Sequence, residues 1–127
     1  MFYIYLSLGG MAGTLARYGV GEWIDSWAGW AFPWGTLTVN LVGSFILGFV
    51  IRAAEVLPLS LIAVAPITIG FCGALTTFST FSYETISLLQ DGAWPRAILY
   101  VAGSLVLGLV AVFLGLGSAS LILTRTT

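Results

Sequence analysis

The sequence predicts an all-α membrane protein with four transmembrane helices, the third of which is broken near the middle of the bilayer. Of its 127 residues, 59% are hydrophobic and only 7% are charged, whereas soluble domains carry about 25% charged residues. Short polar connections divide the apolar sequence into four stretches. A chain with so little polar surface is expected to lie in a lipid bilayer, as one domain over residues 1–127.

Composition also excludes several classes of function. The net charge is −1, the sequence has no histidine, and its four basic residues are all arginines. Without a basic patch we expect no nucleic-acid partner. The single cysteine, Cys72, cannot close a disulfide within the chain or share a metal site with histidine. The sequence offers no nucleophile–base pair, so an enzyme is the least expected class.

The first predicted span runs from about residue 2 to residue 20 and carries a stripe of small residues. Gly9, Gly13 and Arg17 follow one another at four-residue intervals, so they share a helix face. Glycines at this spacing let a second helix approach closely. Arg17 has two interpretations that the sequence leaves open. It snorkels to the interface, or it sets a positive potential at the mouth of an anion path.

Residues 22–34 form the first predicted connection, and their tryptophans favour the headgroup level of the bilayer. The second span, from about residue 34 to residue 51, carries a polar stripe at four-residue spacing, made of Thr36, Asn40, Ser44 and Gly48. The Asn40 amide offers two donors and an acceptor near mid-membrane. It either joins two helices by a hydrogen bond or donates to a permeating anion.

The third apolar stretch covers residues 57–89, and as one helix it would measure roughly 50 Å. The hydrocarbon core is only about 30 Å thick, so a single tilted and broken span is predicted. Pro66 and residues 70–77 supply its weak points. Broken helices expose free carbonyl groups at the midplane, where transport proteins bind ions. Glu84, near the end of this span, meets either a helix dipole or the interface.

The fourth span runs from Trp94 to about Leu123, and Tyr100 and Ser104 share one of its faces. That face is either a packing stripe or a wet track along a pore.

Four spans place both termini on one side of the membrane, and the arginines then divide equally between the two sides. Arg52 and Arg125 lie on the terminal side, whereas Arg17 and Arg96 lie on the other side. Orientation is set mainly by the difference in Lys and Arg between the sides. A difference of zero predicts insertion in both orientations. Chains of opposite orientation can then form an antiparallel, dual-topology homodimer with its two-fold axis in the membrane plane.

Two motifs carry a resemblance to a known family. The run from Gly35 to Gly43 (GTLTVNLVG) and the run from Gly70 to Glu84 (GFCGALTTFSTFSYE) are similar to the two signatures of the Fluc/CrcB fluoride channel family. The resemblance implies a dual-topology homodimer with two antiparallel pores. These pores would export fluoride passively across the plasma membrane of a bacterium and protect the cell from fluoride toxicity.

The resemblance also implies roles for individual residues. The pore-lining residues that the family pattern implies are Asn40, Thr77, Phe78, Ser79, Thr80, Phe81, Tyr100 and Ser104. Arg17 would face a vestibule. Backbone carbonyl groups of Gly73 and Thr76 from both chains would hold a structural sodium ion at the dimer centre. Ala74 stands where many relatives have glycine and would add a Cβ beside that site, whereas Glu84 receives no defined role.

Elementary chemistry agrees with a fluoride pore. Fluoride is small and strongly hydrated, so a pore must replace its water with fixed donors. Amide and hydroxyl groups supply donors, and the positive ring edges of Phe78 and Phe81 can face an anion. Carbonyl oxygens form a hard site suited to a cation. A cation there would lower the cost of bringing anions into a low-dielectric region.

Two other classes are open on the residues alone. A small four-helix multidrug exporter can also be a dual-topology dimer, but it needs a membrane-buried carboxylate in its first helix, and Glu84 is the only candidate carboxylate in this chain. A non-transporting assembly subunit would explain the glycine stripes, yet it leaves the clustered hydroxyls and the break without a purpose.

Overall fold

The computed structural model describes residues 1–124, and every regular element in that part of the chain is helical. Arg125, which enters the arginine count above, lies outside the described residues. Four helical rods pack side by side. The first, second and fourth rods are α1 (Phe2–Ala28), α2 (Trp34–Val56) and α6 (Trp94–Leu123). The third rod consists of α3 (Leu61–Ala65), a π-helical turn (Pro66–Cys72), α4 (Gly73–Leu75) and α5 (Phe78–Gln90).

The first rod is longer than the predicted span of residues 2–20. α1 continues to Ala28, so the connection to α2 shrinks to residues 29–33. The helix ends at Gly29, whose φ of 92° is a conformation that side-chain-bearing residues rarely adopt. The carboxylate of Asp25 accepts a hydrogen bond from the Gly35 N–H at 2.7 Å. The last turn of α1 is thereby tied to the first turn of α2, where N–H groups lack helical partners.

The third rod is broken as predicted, but the break is narrower than residues 70–77. Gly70 lies in the π-helical turn and Gly73 begins α4, so both are helical. The extended residues are Thr76, with φ −82° and ψ 154°, and Thr77, with φ −148° and ψ 121°. The π-helical turn begins at Pro66, which has no N–H to donate to the preceding turn.

Glycines at the contact between α1 and the third rod let the two backbones approach closely. A Cβ at Gly9 would overlap the carbonyl oxygen of Pro66, and a Cβ at Gly13 would overlap that of Phe71. A Cβ at Gly70 would lie 2.7 Å from the Leu6 carbonyl oxygen. The backbones of α1 and the third rod therefore touch, as small residues at four-residue spacing predict.

Glycines also let the second and fourth rods pack closely. A Cβ at Gly48 would overlap the carbonyl oxygen of Val112, and a Cβ at Gly115 would overlap that of Phe45. At the far end of this pair, Arg52 Nε donates to Ser120 Oγ at 2.9 Å. α2 and α6 are thus held together from mid-helix to the terminal side.

Three of the four rods are long and apolar enough to cross a membrane, judged within residues 1–124. They are Trp34–Val56, Leu61–Gln90 and Trp94–Leu123. α1 is not among these three because its tyrosines, glycines and charged residues make it less hydrophobic. Its 27 residues nevertheless measure about 40 Å, and they pack against the part of the third rod that precedes the break, from α3 to α4.

Candidate functional site at the helix break

Asn40 is bonded to both main-chain groups of an extended residue in the break. Its Oδ1 accepts the Thr77 N–H at 2.7 Å, and its Nδ2 donates to the Thr77 carbonyl oxygen at 3.3 Å. In a continuous helix these two groups would have partners four residues away. The amide from α2 therefore replaces helical hydrogen bonds that the break removes, and one Nδ2–H remains for another acceptor.

The hydroxyl groups after the break form a cluster around Thr77. Thr77 Oγ1 accepts the Thr80 N–H at 3.2 Å, which caps the first turn of α5. The same oxygen lies 3.1 Å from Thr80 Oγ1 and 3.3 Å from Ser79 Oγ. The structure thus brings together the three hydroxyls of the third rod that the sequence predicts, and it adds a cap that explains why α5 begins where it does.

Arg17 reaches the other side of the break. Its Nε donates to the Ala74 carbonyl oxygen at 2.6 Å, and its Nη2 donates to the same oxygen. Because α1 continues to Ala28, Arg17 lies about three turns before the helix end. Its guanidinium is directed inward to the third rod, and it also lines a cavity on the α1 side of the break.

The carbonyl groups of Gly73 and Thr76 fit the predicted cation site by their lack of helical donors. The Thr77 N–H, which would serve Gly73 in a continuous helix, donates to Asn40. The Thr80 N–H, which would serve Thr76, donates to Thr77 Oγ1. Gly73 is exposed in the single chain. Within residues 1–124 no group of three or more acidic, Cys or His side chains could hold a metal instead.

The methyl group of Ala74 lies at the contact with α1. Its Cβ lies 3.0 Å from the point where Gly13 would carry a Cβ, so it faces α1. The backbone at Ala74 has no positive φ, since Pro58 is the one non-glycine residue with positive φ among the described residues. The alanine is therefore accommodated by the absent side chain of Gly13.

Phe78 and Phe81 lie on one face of α5, and their ring centroids are 5.7 Å apart. Phe78 is 79% exposed in the single chain. The ring of Phe81 is half-buried and lies 5.1 Å from that of Tyr100. Both phenylalanines line a cavity of about 330 Å³ together with Asn40, Thr76 and Thr77.

Glu84 has hydrogen-bond partners on two neighbouring rods. Its Oε1 accepts the Thr36 hydroxyl at 2.8 Å, and its Oε2 accepts the Tyr100 hydroxyl at 2.6 Å. Tyr100 has no exposed surface, so the carboxyl group links three rods inside the bundle. Thr36 is a site residue that the sequence reasoning missed. The available signal was its position one turn before Asn40 on the same polar stripe.

Tyr100 and Ser104 do not form one hydrogen-bonded track with the hydroxyls after the break. Tyr100 donates to Glu84, whose other side-chain partner is Thr36 and not one of these hydroxyls, and Ser104 Oγ is buried without a hydrogen-bond partner in the described part of the chain. Ser104 therefore has no hydrogen bond to the predicted track within the described residues.

A second cavity, of about 610 Å³, lies on the α1 side of the break. Arg17, Thr77, Thr80 and Glu84 line it. Its other polar lining residues include the carboxylates of Glu22, Asp25 and Asp91. Thr77 lines both cavities, so both of them border the break at this extended residue.

Comparisons with known proteins agree with this geometry. The sequence profile of the family described as "CrcB-like protein, Camphor Resistance (CrcB)" matches residues 4–116. The chain is 47% identical over 113 residues to the "Fluoride-specific ion channel FluC" of one strain of Thermus thermophilus, covering 89% of each chain. It is 44% identical over 117 residues to the protein of the same name from Acidobacterium capsulatum, covering 91% of this chain and 94% of that one.

A protein of that name from Hahella chejuensis is 44% identical over 121 residues, covering 94% of this chain and 95% of its own. These relatives are bacterial proteins named as ion channels, not as enzymes. The resemblance read from the two motifs is confirmed, and the chain belongs to the CrcB family.

Proposed function

We propose that this chain is a fluoride-selective channel that exports fluoride passively across the plasma membrane of a bacterium and protects the cell from fluoride toxicity. The observation that carries the proposal is the break at Thr76 and Thr77, where an amide donor and two cavities meet. The name of the relatives supports fluoride as the ion.

The chemistry of the break suits a dehydrated anion. One Nδ2–H of Asn40 is not used by Thr77, and amide hydrogens are good donors to fluoride. The rings of Phe78 and Phe81 border the same cavity and can present their positive edges. The hydroxyls of Thr77, Ser79 and Thr80 can rotate toward an acceptor, as can that of Ser104, whose oxygen has no partner in the described residues.

The assembly that we propose is an antiparallel, dual-topology homodimer with two pores, in which α1 is the fourth transmembrane helix. Arg17 lies at the depth of the break, near the middle of the third rod, so it contributes little to orientation. One side of the membrane then has Arg96 and the other side has Arg52 and Arg125. This difference of one arginine is still only a weak bias toward one orientation. Exposed apolar side chains along α5 and α6 provide surface for a second copy and for lipid.

The proposed cation site takes backbone carbonyl groups of Gly73 and Thr76 from both copies. Hard oxygen ligands of this kind suit sodium. The ion would be a structural part of the dimer and not a coupled substrate. A fluoride flux that carried sodium in fixed proportion would contradict this and show a cotransporter.

Reconstitution into liposomes tests the function directly. Vesicles loaded with potassium fluoride should release it, as read by a fluoride electrode, once valinomycin lets potassium leave. Vesicles loaded with potassium chloride should release no chloride under the same conditions. Proton-driven export of an organic cation, with no fluoride release, would instead identify a multidrug exporter.

A further inference from the structure

The interaction of Arg17 with the Ala74 carbonyl oxygen has a purpose beyond charge at a vestibule. We propose that Arg17 is a positioning residue that holds the broken third rod in its conducting geometry by capping the half-helix that ends before Thr76. This inference rests on the proposed channel function, but it concerns the backbone of the break and can be tested without fluoride.

The half-helix before the break needs a cap. In a continuous helix the Ala74 carbonyl would accept the Phe78 N–H, but two extended residues separate α4 from α5. The end of a helix carries the negative pole of its dipole, so a cation is the favoured partner there. The Nε and Nη2 of Arg17 both donate to this one oxygen. A lysine cannot reproduce two donors held in a rigid plane.

Arg17 contacts a carbonyl oxygen although carboxyl groups line the same cavity. Four carboxyl groups line the same cavity, those of Glu22, Asp25, Glu84 and Asp91. Yet in the described part of the chain the ion pair formed is between Arg52 and Glu55, at 2.8 Å. The guanidinium thus contacts the break in preference to an acidic side chain. A residue that only supplied a positive potential would need no such contact.

The glycine stripe of α1 determines how far Arg17 reaches. Gly13 precedes it by four residues and lies on the same helix face. At Gly13 the α1 backbone approaches the Phe71 carbonyl oxygen and the Cβ of Ala74 so closely that a side chain would overlap. The next turn of α1 then sets the guanidinium on the Ala74 carbonyl.

Two side chains therefore form hydrogen bonds with different main-chain groups of the break. Arg17 occupies the Ala74 carbonyl from the α1 side, and Asn40 occupies both main-chain groups of Thr77 from α2. The carbonyls of Gly73 and Thr76 are left for other ligands. Loss of Arg17 would add the Ala74 carbonyl to those of Gly73 and Thr76 as groups without a cap, and would let the segment between α4 and α5 move.

The experiment compares Arg17→Lys and Arg17→Gln with the parent and with Arg96→Lys, which keeps the charge that counts toward orientation. Arg96 is a matched control because its Nη1 lies 3.4 Å from the Ala31 carbonyl oxygen at an exposed position away from the break. The first readout is amide hydrogen exchange of a peptide covering residues 73–80, measured on the folded protein in detergent. The second readout is fluoride release from liposomes at low and high ionic strength.

A positioning role predicts faster exchange in residues 73–80 for both Arg17 variants and unchanged exchange for Arg96→Lys. It also predicts that fluoride flux falls about tenfold or more in both Arg17 variants, at low and at high ionic strength. This is the size of effect expected when a charge-assisted hydrogen bond is lost. Parent-like exchange or parent-like flux in Arg17→Lys would overturn the proposal, because a diffuse charge survives that change and its effect is screened by salt.

The exchange measurement separates this inference from the channel function. If the parent releases no fluoride, the proposed function fails, and faster exchange in Arg17→Lys still supports the positioning role. Should Arg17→Gln fail to purify as a folded protein, Arg17→Lys decides alone. A third variant, Gly13→Ala, keeps Arg17 but moves α1 away from the break and should also speed exchange. Gly10→Ala, where a Cβ meets open space, should not.

Discussion

The Oδ1 of Asn40 accepts the main-chain N–H of Thr77 at 2.7 Å, while its Nδ2 faces the carbonyl oxygen of the same residue at 3.3 Å. The two contacts fix the direction of the amide, since the reversed amide would set oxygen against oxygen. One Nδ2–H of Asn40 therefore remains available as a donor. A hydrogen-bond donor is what an anion requires.

The first prediction concerns that amide. Asn40→Asp keeps the size of the side chain and the acceptor for the Thr77 N–H, but it replaces the donor with a negative oxygen. Flux should fall below detection, because anion repulsion at low dielectric costs several kcal/mol. Fluoride release from liposomes measures the effect. Thr38→Val, two residues earlier on α2 and outside the cavity lining, is the control, and parent-rate flux in Asn40→Asp would remove the amide from the mechanism.

The second prediction concerns the two phenylalanine rings. Phe78→Ile and Phe81→Ile keep apolar bulk but remove the positive ring edge, so each should reduce fluoride release strongly while the protein purifies at its normal size. Phe113→Ile in α6 is a matched control, because Phe113 is 73% exposed and Phe78 is 79% exposed. Equal flux in all three variants would mean that the rings serve packing alone.

The third prediction concerns the carboxyl group that links three rods. Thr36→Val and Tyr100→Phe each remove one donor to Glu84 and should each lower the free energy of unfolding by about 1 kcal/mol. The double variant should show a coupling, since both donors serve one carboxyl group. Unfolding in detergent gives the values. Tyr83→Phe, adjacent in sequence and 74% exposed, should be neutral.

A fourth prediction compares two glycines of α6, one at the contact with α2 and one in open space. Gly115→Ala would press a methyl group into the carbonyl oxygen of Phe45 and should destabilise the α2–α6 contact by about 1–3 kcal/mol. Gly117→Ala meets nothing within 4 Å and should be neutral or slightly stabilising. Thermal unfolding of the purified variants tests both, and equal midpoints would contradict the packing described for these rods.

A fifth prediction concerns orientation. Adding two or three lysines after residue 127 should fix the chain in one orientation and abolish fluoride release. Co-expression with a chain biased in the opposite sense should restore it, because the proposed dimer needs both orientations. Full activity from one fixed orientation alone would refute the antiparallel assembly.

The sequence was a good guide to the broken rod and its hydroxyls. Paired hydroxyl residues in an apolar run have few roles except capping and ligation, so Thr76 and Thr77 indicated the break. Gly70 and Gly73 were misleading because glycine serves either free backbone conformations or close packing. At Gly70 the reason is packing, with the Leu6 carbonyl oxygen 2.7 Å from where a Cβ would stand.

Contacts between distant rods were beyond the reach of sequence patterns. Arg17 and Ala74 are separated by 57 positions, and Thr36 and Glu84 by 48. Helical periodicity gives the face on which each residue lies but not the depth at which two rods align. The end of α1 was missed for a local reason. The spacing of Trp23 and Trp27 is helical, and their preference for the interface led to a connection being predicted there.

The π-helical turn at Pro66–Cys72 changes the phase of the third rod. Such a turn holds about one residue more than an α-helical turn, which rotates every preceding side chain by roughly 100° relative to those after it. A helical wheel drawn continuously through this rod would therefore assign α3 to the wrong neighbours. Deleting one residue inside the turn would restore the α-helical phase and turn α3 away from α1, with the extended residues at Thr76 and Thr77 left unchanged.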